Sequence, residues 1–194
     1  MLLKKFCLYT ALSLYCTFLS ASEVSPYVLD FQEQGDVDYT NVGTLTNVLP
    51  VPSILLHGAT IKTIGDLSIR LSGGQTIDFQ DETAETLEIS DLQISKIPEI
   101  IATGNIPLEL SVKTRESLLG LKQAIEGSIG KVPSSRITSK DRLSEAFIFQ
   151  GDDKKNWVVF IVSGELNNSY TMIILKGFEK AYFDRFLLQG AYGK

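Results

Sequence analysis

Apolar and polar positions alternate with period two at Leu67, Ile69 and Leu71 against Ser68, Arg70 and Ser72, and again around Ile77 and Phe79. Such alternation predicts strands with one face on a core, and Gly73-Gly74 between them predicts a hairpin. Past an acidic loop at 81–85, Leu87 and Ile89 begin a further predicted strand, which shifts phase at Asp91 and continues through Leu92 and Ile94. Leu108, Leu110 and Val112 predict another. Pro98 suits the first turn of a short helix that Gly104 ends. The period then becomes helical: at about 100° per residue, Leu118, Leu121, Ala124, Ile125 and Ile129 share one arc, with Glu116, Gln123 and Glu126 opposite. A helix from Arg115 follows, with Thr114 as N-cap and Gly127 or Gly130 as its end.

The last third reads as a meander of strands at 143–149, 157–162 and 170–175, separated by turns at 151–156 and 165–169. The run from Trp157 to Val162 is apolar at every position, which predicts a central strand covered on both faces. A final helix is expected over 178–188. Its residues Phe178, Tyr182, Phe183, Phe186 and Leu187 span about half of the circumference, more than one packed face requires. Ala181 and Leu188 form a second patch. The helix therefore either lies between two layers or presents these five residues as a binding surface.

Residues 39–61 carry no charge, but Gly43, Pro50, Pro52 and Gly58 rule against a membrane-spanning helix. Extended, β-prone chain is expected there, anchored by Val48, Leu49, Ile54, Leu55 and Leu56. Together these elements predict an α+β fold, a largely antiparallel sheet of about six to eight strands with two main helices packed on it.

The N-terminus changes the picture of where such a fold works. Lys4 and Lys5 precede an uncharged run at 6–19, and the small residues Ser20, Ala21 and Ser22 follow. This is the pattern of a cleavable export signal over 1–21, shorter than the ~20 apolar residues that span a bilayer core. One domain over 22–194 is expected to remain, with a candidate internal boundary near 131–140, in the periplasm or outside the cell. Both cysteines, Cys7 and Cys16, fall in the segment to be removed, so neither a disulfide nor a thiolate metal site is expected. The full chain has a net charge of −5, and losing Lys4 and Lys5 makes it more acidic. That balance speaks against nucleic acid and anionic membranes, which are bound through clustered Lys and Arg. The group Lys131, Arg136, Lys140 and Arg142 reads as a solvated loop.

The chemistry is sparse. His57 is the single histidine, and an imidazole works as a general base only beside a nucleophile and an orienting carboxylate. Between Leu56 and Gly58 it reads as a strand-end residue near a turn. Ser128 and Lys131 have the spacing of a serine nucleophile and its lysine but lack the companion motifs. Asp36 and Asp38 begin a calcium-like alternation that Asn41 interrupts where a loop needs glycine. No catalytic residue, metal or cofactor is therefore assigned. The expected function is an exported, non-catalytic binding or assembly module, with an unidentified protein partner, an apolar small ligand or a second copy of itself. A carrier of an apolar small molecule, held between the C-terminal helix and the sheet, is the alternative, and a hydrolase using His57 ranks last.

Overall fold

The hydrophobic periods reappear as two layers of cover on one sheet. The computed structural model describes residues 24–28, 38–43, 48–63, 66–130, 134–139, 142–164 and 168–188. The expected signal segment 1–21 lies outside them. The strands are β1 (Ser25–Pro26), β2 (Tyr39–Gly43), β3 (Val48–Pro52), β4 (Thr60–Lys62), β5 (Leu67–Arg70), β6 (Thr76–Thr83), β7 (Ser134–Thr138), β8 (Ser144–Gln150), β9 (Asn156–Ser163) and β10 (Ser169–Lys176). The helices are α1 (Ser53–Leu56), α2 (Ala84–Leu87), α3 (Ile97–Thr103), α4 (Val112–Ile129) and α5 (Lys180–Leu188), with a 3₁₀ turn at Ile94–Lys96.

Eight strands form one sheet in the order β1-β7-β8-β9-β10-β6-β5-β4, and β2 and β3 pair separately. Every neighbour in the large sheet is antiparallel except β1, which runs parallel to β7. The protein is thus α+β, as its periodicity predicts. Strands from either side of 131–140 share this sheet, since β10 pairs with β6 along its whole length, from Ser169↔Thr83 to Lys176↔Thr76.

The pleat sends successive side chains to opposite faces. On one face Phe147, Phe149, Val158, Phe160 and Met172 pack under Ile97 and Ile101 of α3 and Leu118, Ile125 and Ile129 of α4. On the other, Ile148, Trp157, Val159, Ile173 and Phe79 lie beneath Phe178, Phe183 and Val51. Burying each such side chain contributes roughly 1.5–3 kcal/mol. Strand β9 has core on both sides, which is why its sequence shows no alternation.

Two predicted strands do not form, one giving way to a short helix and the other to a turn. Around Leu87 the chain forms α2, because Thr83 and Thr86 make a capping box: the Thr86 amide donates to Thr83 Oγ1 at 3.3 Å and the Thr83 amide to Thr86 Oγ1 at 2.8 Å. Ile89 and Ile94 are still core residues, so the apolar positions are right and the backbone period is wrong. At Leu108, Leu110 and Val112 a turn leads directly into α4. The helix starts three residues before the expected Arg115 because Ser111, not Thr114, is the N-cap, its Oγ accepting from the Thr114 amide at 3.2 Å. Asp91 secures this end from a distance, accepting from the Ser111 amide at 2.6 Å and from the Thr114 hydroxyl. In the uncharged segment, Ile54, Leu55 and Leu56 lie in α1 and not in extended chain, and Ile54 is exposed. No helix among the described residues is long and apolar enough to cross a membrane.

Candidate functional site

The aromatic C-terminal stripe divides between core and surface. Phe178 precedes α5 and is anchored at both backbone groups: its N–H donates to the Lys155 carbonyl, and its carbonyl accepts from Trp157 Nε1, each at 2.8 Å. Its side chain is buried. Phe183 is wholly buried, its ring stacked on that of Trp157 with centroids 4.0 Å apart and planes 7° apart. Neither is available on the surface of the folded chain. Tyr182 is 43 % exposed. Phe186 and Leu187 lie in α5, and their side chains fall outside the described residues. The space between α5 and the sheet, the expected seat of an apolar ligand, is occupied by Phe183 and Phe178 themselves.

Beside Phe183 sits a polar knot that no sequence pattern announces. Asp184 is only 3 % exposed. It accepts hydrogen bonds from the Tyr27 hydroxyl and, at 2.5 Å, from Lys180 Nζ. That ammonium also donates to the Val28 carbonyl at 3.2 Å and lies 5.1 Å from the centre of the Tyr27 ring. Burial, and then the hydrogen bond to and charge of Asp184, hold the Tyr27 hydroxyl well above the ordinary phenol range. It remains a proton donor to Asp184 at any physiological pH, which makes it an anchor and unsuits it to acid–base work.

The residues weighed for chemistry are dispersed. His57 is exposed in the turn after α1. The Ser128 hydroxyl donates to the Ala124 carbonyl at 2.8 Å, a bond within α4, and Lys131 lies outside the described residues, as does Asp36. The Asp38 carbonyl accepts from the Ser53 amide at 2.9 Å. Asp153 holds its own turn, accepting from the amides of Lys155 at 2.9 Å and Asn156 at 3.0 Å. Among the described residues no three His, Cys, Asp or Glu side chains are grouped so as to hold a metal ion.

A different surface emerges on the helical side. Leu108, Val112 and Leu119 are 82 %, 61 % and 47 % exposed. Val112 and Leu119 are seven positions apart in α4, hence on one flank two turns apart, and Leu108 sits in the turn that leads into the helix. Nearby, α3, α4 and β8 enclose a cavity of about 70 Å³ lined by Ile101, Ile125 and Phe149 together with Lys122 and Glu126. Metabolite sites measure roughly 300–1,000 Å³, so this hollow has room for a side chain at most. A signal for the surface does exist in the sequence: on the helical wheel Val112 and Leu119 fall on the polar side, toward Glu116 and Gln123.

Fold and surface together define a class, an α+β protein with a mixed sheet covered on both faces and an apolar row on its helical layer. No protein-family model, no curated protein and no solved structure matches the chain.

Proposed function

We propose that the chain is an exported, non-catalytic binding or assembly module that engages a protein partner through the outer flank of α4. The observation that carries this reading is the exposure of Leu108, Val112 and Leu119 beside charged neighbours. Single exposed apolar residues are ordinary, whereas a row of them rimmed by charge has the composition of an interface core and its border. Glu116, four positions after Val112 and three before Leu119, places that charge on the same flank. The absence of charge in the run at 6–19, behind Lys4 and Lys5, supports export. The carrier reading finds little support, because the expected cleft is filled by Phe183 on Trp157. A hydrolase built on His57 finds less, since the residue stands in an exposed turn.

Val112→Glu and Leu119→Glu test the proposal. Both sites are exposed, so stability should change by no more than about 0.5 kcal/mol. Affinity capture from the native envelope fraction, compared across the three chains, should lose the partner in both variants. If both variants recover the same proteins as the unsubstituted chain, α4 is not the binding surface.

A further inference from the structure

The charges beside the apolar row on α4 have a symmetry of their own. At about 100° per residue, Val112 and Leu119 fall within about 20° of one line along the helix, two turns apart. Arg115 and Glu116 come halfway between them, about 50° to either side of that line. Neighbours one position apart on a helix do not face each other, so these opposite charges do not pair within the chain. Neither takes part in an ion pair among the described residues, and Lys113 is held by Glu88 at 2.7 Å. Glu116 is exposed. Arg115 is half-buried, and its Nε is buried with no hydrogen-bond partner among the described residues. A partly buried guanidinium without an acceptor is destabilising, and a carboxylate delivered from outside the chain offsets that cost.

We propose that the partner of the α4 flank is a second copy of this chain, the two α4 helices lying side by side and parallel about a two-fold axis. Val112 and Leu119 then meet their counterparts, and each Arg115 meets the partner's Glu116. This rests on the reading of α4 as the binding flank and names what binds there. A two-fold interface requires a surface complementary to itself, and a row with one cation and one anion at mid-height, on opposite sides, is such a surface. Charge also fixes the orientation. In a parallel pair opposite flanks of the two helices meet, arginine with glutamate on both sides. An antiparallel pair would set like flanks together, arginine on arginine and glutamate on glutamate, and like charges so placed are strongly repulsive. The seven-residue spacing of Val112 and Leu119 keeps both on the seam of a parallel pair.

Light scattering and sedimentation of the purified protein over a range of concentrations test this. A dimer that grows with concentration is expected, and Leu119→Glu should abolish it. Glu116→Arg alone and Arg115→Glu alone should each weaken it by at least about tenfold, because each sets like charges together at both contacts. Mixed in equal amounts, these two variants should pair with each other in preference to themselves, since every contact is then between opposite charges. If Arg115→Glu does not fold, Glu116→Arg, at an exposed site, decides alone. A monomer at every concentration, or a dimer indifferent to Leu119→Glu or to Glu116→Arg, would overturn the proposal. In the monomer case, capture of a different protein that is lost on Leu119→Glu would keep α4 as a binding flank and remove only the second copy.

Discussion

Phe183 lies flat on Trp157, ring centroids 4.0 Å apart, and this stack is the join between the C-terminal helix and the sheet. Trp157 is fully buried and donates its indole N–H to the Phe178 carbonyl, so the stack and the approach to the helix are fixed by one side chain. Phe183→Ala should therefore destabilise the protein by about 3–5 kcal/mol, as loss of a core aromatic does. Chemical denaturation followed by Trp157 fluorescence measures this; a change under about 1 kcal/mol would mean that α5 is not a core element.

The Tyr27 hydroxyl donates to a carboxylate that is almost wholly buried. Hydrogen bonds to charged groups contribute about 1.5–3 kcal/mol, so Tyr27→Phe should lower stability by that amount with little change in shape. The same denaturation experiment tests it, and an unaltered midpoint would show the anchor to be dispensable.

Tyr170 offers the opposite case. Its hydroxyl is buried without a hydrogen-bond partner among the described residues, and burial, then the charge of Glu82, keep it protonated far above the ordinary range. A buried polar group left unsatisfied costs about 1–3 kcal/mol. Tyr170→Phe should leave stability unchanged or raise it by about 1 kcal/mol, measured as a shift in Tm. A clear loss would reveal a partner for that hydroxyl.

Acid sensitivity should trace in part to Asp91. The Thr114 hydroxyl first, then the Ser111 amide, hold its carboxyl below the ordinary aspartate range. A depressed folded-state pKa contributes stability that is present above the unfolded value of about 3.9 and is lost as pH falls through the lower folded value. Asp91→Asn should lower stability at neutral pH and flatten the acid limb of a stability profile below about pH 5, measured by urea unfolding at each pH. An unchanged slope would exclude Asp91 as a contributor.

Much of the sheet is readable from spacing alone, because alternation is imposed by the pleat itself: Leu67, Ile69, Ile77 and Phe79, and the meander from Ser144 to Lys176, fall where the period puts them. The helical errors have a common origin. Short apolar runs such as Leu87 to Ile89 suit either period, and the deciding interactions are hydroxyl caps at Thr83 and Ser111, the second reinforced by Asp91 from twenty positions upstream. No local pattern contains that contact. The aromatic stripe is narrower than its sequence suggests because Phe178 lies outside the helix, so its place on a helical wheel has no meaning. Val51 gives no periodic signal between Pro50 and Pro52, although it is fully buried in the layer that meets α5. The polar knot of Tyr27, Lys180 and Asp184 joins the two ends of the described chain and is invisible in either end alone.

That junction has a bearing on biosynthesis. A chain leaves the ribosome N-terminus first, so the segment at 24–28 appears before every element it binds. Its edge-strand partner is made more than a hundred codons later, and Asp184 later still. Closing this corner must wait for α5, whatever order the meander and the other helices take. Until then the Trp157 face lacks Phe183, and the unfinished polypeptide carries a bare aromatic surface.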